Sequence, residues 1–482
     1  MTESVDVLIV GAGLSGIAAA YYLGRRCPNW SFAIVEGRAA LGGTWDLFRY
    51  PGVRSDSDMY TLGYRFRPWS GDKAIGDGPA ILQYLRDTAR EFGIDKQIRF
   101  NQRVRRISWS SEAAQWTVDI ERRGETEAGQ MRCKFLFMCT GYYRYDRGHM
   151  PEWPGMHDFG GEIVHPQAWR PDLDYCGKRV IVIGSGATAV TLVPALAEKA
   201  EQVTMLQRSP SYIVSSPSED GIAHWLHRRL PFRLAAWLAR WRMILRQMYY
   251  FALARSKPQH TRSLVLQGVR QALGPDYDIE RHFAPLYNPW DQRVCLAPDG
   301  DLFNAINAGQ VSVVTERIDR FVEDGILLES GELLPADIIV TATGLQMKLM
   351  HGIEILVDSA PVKLGDTRSY MGAMYSGIPN LASAFGYTNA SWTLKAELIC
   401  EYVCRLLNHM ERRGYAQCRP RLDAGLAETK AFVDFTSGYV QRALESLPKQ
   451  GSRRPWKAYQ NYLKDLLLLR YGRLHDGVME FE

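Results

Sequence analysis

The feature that most constrains this chain is a glycine-spaced turn between an apolar strand and a helix, and it occurs twice. The run VDVLIVGAGLSGIAAAYYL carries Gly11-x-Gly13-x-x-Gly16, and KRVIVIGSGATAVTLVPAL carries Gly184-x-Gly186-x-x-Ala189. In such a turn the first glycine permits the tight bend and the second lets bare backbone approach a pyrophosphate. The third position brings helix and strand close together, and the helix N-terminus favours phosphate charge. One such run alone can be an ordinary tight turn. Here the flanking strand and helix are both present, and the strand FAIVE ends on Glu36, twenty residues after Gly16, where an acid accepts from a ribose hydroxyl. After the second turn the strand VTML runs into Gln207, Arg208 and Ser209 instead of an acid. An arginine there attracts a 2′-phosphate, so the second nucleotide is expected to be NADPH; a solvated surface charge is the alternative.

Two later strands end on threonine–glycine, Thr140-Gly141 and Thr343-Gly344. The simplest topology is an α/β chain with two Rossmann-like dinucleotide-binding domains, the NADPH domain inserted into an FAD domain, plus a mostly helical insertion. The expected limits are 1–150 for the first part of the FAD domain and 151–178 for a linker. Residues 179–211 and 326–350 form the NADPH domain, 212–325 the helical insertion, and 351–482 the rest of the FAD domain. In that last part Ser391 and Thr393 are candidate caps of a long helix whose positive end faces the flavin.

Composition narrows the function. With 482 residues, 46% hydrophobic and 23% charged, the chain has material for several packed domains. It contains no apolar stretch of spanning length. The eight cysteines are scattered without a C-x-x-C pair, which argues against a structural zinc or a dithiol site and for a reduced, cytoplasmic setting. The net charge of +5 is local: residues 221–257 hold eight Arg and Lys and no acid, and removing those eight leaves the rest at −3. No nucleic-acid-binding pattern accompanies them. In this segment Trp237, Trp241, Leu245, Met248 and Tyr249 fall near one helical face bordered by arginines. That face is either an inward core stripe or a surface for peripheral contact with a membrane.

Between the two modules lies Phe159-x-Gly161-x-x-x-His165-x-x-x-Trp169. Together with the paired turns it resembles the fingerprint of the Baeyer–Villiger monooxygenases, class B flavoprotein oxygenases, although Arg170 stands where they carry Pro or Asp. The stretches GGTWDLFRYPGVRSDSDMY (42–60), YNPWDQRVCLAPDGDLF (287–303), GYTNASWTLKAE (386–397) and LPKQGSRRPW (447–456) resemble the ethionamide-activating subgroup. The resemblance implies an enzyme in which NADPH reduces FAD, oxygen adds to the flavin, and the peroxyflavin inserts one oxygen atom into a ketone, giving an ester or lactone. Apolar sulfides and thioamides are further implied substrates. The alternative is an S- or N-oxygenase without Baeyer–Villiger activity.

By the same resemblance Gly43, Thr44 and Trp45 approach the flavin nucleotide. Arg293 is the active-site arginine, a charge that pH does not remove, and Asp56 is the acid that orients it and borders the cofactors. A plain surface salt bridge is the competing reading of that pair. Gln292 stands where many relatives have a phosphate-binding lysine, which leaves the preference for NADPH to Arg208. His165 is either a hinge element or a hydrogen-bonded linker residue. No metal-ligand spacing is found.

Overall fold

The computed structural model describes residues 3–122, 129–422, 429–433 and 435–482. Strand β1 (Glu3–Val10) leads through the first glycine turn into helix α1 (Leu14–Arg26) and strand β2 (Phe32–Val35). β1 pairs in parallel with β2 on one side and with β3 (Gly129–Met138) on the other. Val7, Leu8 and Ile9 are fully buried on both faces, as a central parallel strand requires. Each such side chain contributes about 1.5–3 kcal/mol through the area it removes from water.

The second sheet is built from short parallel strands, β4 (Glu162–Val164), β5 (Arg179–Ile183), β6 (Gln202–Gln207), β7 (Val311–Thr315) and β8 (Ile338–Thr341). Their order is β7-β6-β5-β8-β4. Helix α2 (Ala187–Ala197) follows β5 as α1 follows β1. Two strands of this sheet fall outside the segments expected to form the domain. β4 lies in the supposed linker 151–178 and pairs with β8, and β7 lies in the supposed helical insertion and pairs with β6. Partly exposed edge strands of three and five residues are too short for a reliable periodicity in the sequence.

Helices α3 (Gly221–Arg229) and α4 (Phe232–Ser256) make up the basic segment. Although the chain reaches them from the second sheet, α4 is anchored on the first domain. Buried Arg240 donates to the carbonyls of Tyr60 and Gly63 and to Glu397 Oε2 at 2.7 Å. Glu397 sits on α5 (Trp392–Arg413), the long helix expected near the flavin. Ser391 holds its N-cap position, but neither expected cap is made. Ser391 Oγ lies 2.5 Å from Thr61 Oγ1, and the Thr393 hydroxyl donates to the Leu62 carbonyl. Both hydroxyls are drawn to the neighbouring short helix, which leaves the first-turn amides of α5 without side-chain caps.

All eight cysteines are free, and Cys400 and Cys404 are buried in α5. Among the described residues no helix is long and apolar enough to cross a membrane, and no cluster of three metal-ligating side chains occurs.

Candidate active site

One cavity of about 1370 Å³ runs between the two sheets. A single drug-sized ligand occupies roughly 300–1,000 Å³, so this volume accommodates more than one small molecule. Both glycine turns open onto it with the same construction. A Cβ on Gly11 would lie 2.6 Å from the Cys139 carbonyl oxygen, and one on Gly184 would lie 2.4 Å from that of Ala342. Each turn therefore packs against the strand end that precedes a threonine–glycine pair, and only glycine allows it. Gly186 differs: a Cβ there would meet no protein atom, so its bare backbone faces open cavity. Neither α1 nor α2 has a side-chain cap. Two helix N-termini with free amides thus point at one cavity, a fitting pair of pyrophosphate cradles.

The expected residues distribute unevenly. Gly11, Gly13, Glu36, Gly43, Thr44, Trp45, Asp56, Gly184, Gly186, Arg208, Ser209 and Arg293 line the cavity, whereas Gly16 and Ala189 do not. Those two serve packing. A Cβ on Gly16 would overlap the Gly11 carbonyl at 1.9 Å, and Ala189 is fully buried. Glu36 accepts from the amides of Ala12 (2.8 Å) and Arg38 (2.9 Å), so the acid also braces the glycine turn. Burial pushes its pKa up, and these two amide bonds oppose that shift.

Arg293 and Asp56, 237 residues apart, form a two-point pair, Nε to Oδ2 at 2.8 Å and Nη2 to Oδ1 at 2.9 Å. Each side chain is about 30% open, and the opening is onto the cavity. Asp56, the largest influence, holds the guanidinium well above its ordinary pKa. The arrangement is a fixed positive charge with free N–H donors facing the space between the two cradles.

The aromatic wall around this pair was not singled out from sequence. Tyr142 and Tyr143 touch hydroxyl to hydroxyl at 2.7 Å, and Tyr142 stacks on Trp392 at 5.1 Å. Trp392 in turn donates from Nε1 to Ser15 Oγ at 2.8 Å. Burial, the dominant cause, raises both phenols, keeping them neutral donors. Tyr439, from the distant C-terminal part, lines the same wall. The run carrying Tyr142 and Tyr143 was legible only as a strand end; the one clue was that two aromatics follow its glycine.

At the other end, Gln207 turns inward to the His282 carbonyl and Thr315, which leaves Arg208 exposed on the cavity rim. Arg317, beyond the end of neighbouring β7, lines the same rim and was also missed.

The fingerprint residues resolve into distinct tasks. Phe159 and Trp169 are buried, and a Cβ on Gly161 would lie 2.2 Å from the Asp337 carbonyl oxygen. His165 accepts at Nδ1 from the Gln167 amide (3.1 Å), and its Nε2 faces the Gly344 carbonyl at 3.3 Å. Burial lowers its pKa, favouring the neutral ring. It thus ties the end of β4 to the turn after β8. Arg170, the departure from the fingerprint, makes only an exposed pair with Glu162.

Two dinucleotide cradles facing one cavity with a fixed, half-buried cation between them define a two-nucleotide redox flavoprotein. Comparison with known proteins makes this specific. Residues 77–359 match the flavin-binding monooxygenase-like family, and residues 9–69 match an NAD(P)-binding Rossmann-like domain. The FAD-containing monooxygenase EthA of Mycobacterium tuberculosis is 53% identical over 482 residues, covering 100% of this chain and 98% of the relative. The probable FAD-binding monooxygenase AlmA of Acinetobacter baylyi is 44% identical over 484 residues, covering 100% and 97%. Among solved structures, an oxidized steroid monooxygenase bound to NADP superposes with a TM-score of 0.78 at 23% identity, covering 99% of each chain. An open cyclohexanone monooxygenase gives 0.77 at 21%, covering 100% of each. The chain belongs to the flavin-binding monooxygenase family. It is a flavin-dependent, NADP-binding oxidoreductase with this family's two-Rossmann architecture.

Proposed function

We propose that this enzyme uses NADPH and oxygen to transfer one oxygen atom to apolar ketones, giving esters or lactones, and to sulfides or thioamides. The observation that carries the reading is the Arg293–Asp56 pair, opening onto a cavity between two nucleotide cradles. Bound there, the flavin supplies the redox chemistry and the activation of oxygen. The protein residues do the rest. Gly11, Gly13 and the N-terminus of α1 hold one pyrophosphate, with Glu36 toward its ribose. Gly184, Gly186 and the N-terminus of α2 hold the other, and Arg208 with Ser209 engages its 2′-phosphate. Gly43, Thr44 and Trp45 border the first nucleotide. Arg293 neutralises negative charge that develops on oxygen during transfer, and Asp56 keeps it aimed. The wall of Tyr142, Tyr143 and Trp392 excludes water and favours an apolar substrate. Peripheral contact with a membrane through residues 221–257 suits substrates of that kind. The test is a panel of ketones, sulfides and thioamides scored by NADPH consumption and product identity. Oxygenated product with matching NADPH consumption is expected. NADPH oxidation that yields only hydrogen peroxide with every member would overturn the substrate assignment.

A further inference from the structure

Helix α4 is inverted relative to an ordinary amphipathic surface helix. Its small residues Ala235, Ala236 and Ala239 point inward with Met243 and Ile244, while Trp237, Leu245 and Tyr249 are 52%, 52% and 63% exposed. The small face is needed inside because α4 lies close against the first domain, where Arg240 reaches Tyr60, Gly63 and Glu397. Trp241 and Met248 pack against the core of the first domain, and Trp237, Leu245 and Tyr249 are left facing outward. The C-terminal segment lies beside this helix: half-buried Trp241 meets buried Tyr462 at 5.8 Å between ring centroids, and in the same segment Leu467 and Tyr471 are 61% and 68% exposed. Exposed large apolar residues gathered over two neighbouring elements form a contact surface, unlike scattered single ones.

Charge selects the partner. Arg228, Arg229, Arg233 and Arg246 are exposed on α3 and α4 and make no ion pair among the described residues, while Arg242 pairs with Asp220. Residues 221–257 contain no acid, and in the 462–473 segment the one acid, Asp465, is buried against Lys395. A two-fold contact with a second copy would set this cationic patch against itself. We infer that the faces of α3, α4 and residues 463–471 together seat the enzyme on an anionic lipid bilayer, aromatic side chains in the interface and arginines at the phosphate level. The inference rests on the peripheral contact proposed above and extends it to the C-terminal segment and to a lipid charge. The same helix braces both limbs of the active-site pair. Gln247 donates to Asp58 at 2.7 Å, Phe251 packs on Trp290 at 5.6 Å, and Arg255 pairs with Asp291 at 3.0 Å. An apolar substrate dissolved in the bilayer is therefore held beside the segments that carry Asp56 and Arg293.

The test is flotation of the FAD-loaded full chain with phosphatidylcholine vesicles, with and without phosphatidylglycerol, and with no substrate or NADPH added. Failure of the oxygenation reading thus leaves this result untouched, and the reverse holds too. Flotation is expected only with the anionic vesicles and is lost at high salt. An arginine near an anionic surface is worth about fivefold in partition, so the triple Arg228→Gln, Arg229→Gln, Arg233→Gln variant should bind about a hundredfold more weakly. Trp237→Ser with Leu245→Ser should lose about tenfold or more, and Leu467→Ser with Tyr471→Ser a comparable amount. Retained flavin absorbance and flavin bleaching by NADPH certify that the variants are folded. Absence of flotation, or equal flotation with neutral vesicles, would overturn the inference. So would light scattering that shows a dimer dissolved by the Trp237→Ser, Leu245→Ser changes with no vesicle binding, which would make the face an interface between copies.

Discussion

Replacing Arg293 with alanine should separate the two halves of the reaction. Of the five N–H donors on a guanidinium, two are committed to Asp56, through Nε and Nη2, and three remain for a developing oxyanion in the cavity. Removing a preorganised donor of this kind costs about 3–4 kcal/mol in the transition state, roughly a hundred- to a thousandfold in rate. Neither glycine cradle touches this side chain, so FAD content and flavin reduction by NADPH should stay within a fewfold of wild type. The assay is stopped-flow flavin reduction alongside ester yield and hydrogen peroxide, each per NADPH consumed. Ester should fall to the background and peroxide should rise to match NADPH. Asp56→Ala should lose less, about tenfold, because the charge persists and only its aim is lost. Arg293→Lys should resemble alanine more than wild type, since a single ammonium cannot hold Asp56 at two points and still face the cavity in the same geometry. Normal ester yield from Arg293→Ala would refute the role assigned to this pair.

Arg208→Ala should weaken NADPH by about ten- to a hundredfold through loss of charge-assisted contacts worth roughly 1.5–3 kcal/mol, and leave NADH nearly unchanged; Michaelis constants for both cofactors decide it, and an unaltered preference would shift the task to Arg317. Gly184→Ala forces a Cβ to 2.4 Å from the Ala342 carbonyl oxygen at φ +137°, so NADP affinity measured by titration should drop by at least about tenfold while the flavin spectrum persists. Glu397→Gln leaves the buried Arg240 cation without its carboxylate and should destabilise the fold by about 3–5 kcal/mol. Thermal unfolding reads that loss, and the double change with Arg240→Met should recover much of it; no recovery would show that the pair is not coupled.

What was legible in the sequence follows from how tightly backbone constrains side chain. The two glycine turns were readable because their first glycines abut a carbonyl oxygen, at Cys139 and Ala342, and no other residue fits. The α/β class followed from the strand and helix that flank each of these turns. Strands 162–164 and 311–315 were missed because edge strands this short show no periodicity. The orientation of α4 was left open between a core stripe and an exposed face. Periodicity revealed a face of Trp237, Trp241, Leu245, Met248 and Tyr249 bordered by arginines, and hydrophobicity alone favours burying it whole. The inward side combines Ala235, Ala236 and Ala239 with Met243 and Ile244, and Trp241 and Met248 are half-buried, while Trp237, Leu245 and Tyr249 face outward. Ser391 and Thr393 were read as caps from local chemistry, whereas their hydroxyls bond to Thr61 and Leu62, some 330 residues away. Sequence order held no record of that proximity, nor of the meeting of Tyr439 with Tyr142 and Tyr143.

The central claim is that the cavity couples NADPH oxidation to oxygen transfer onto an organic substrate. The most direct measurement is turnover of an apolar ketone under isotopically labelled oxygen, with mass spectrometry of the product and simultaneous NADPH counting. The account predicts one labelled oxygen atom in the ester for each NADPH consumed. NADPH oxidation with all label recovered as hydrogen peroxide, or label entering the product from water instead of oxygen, would contradict it.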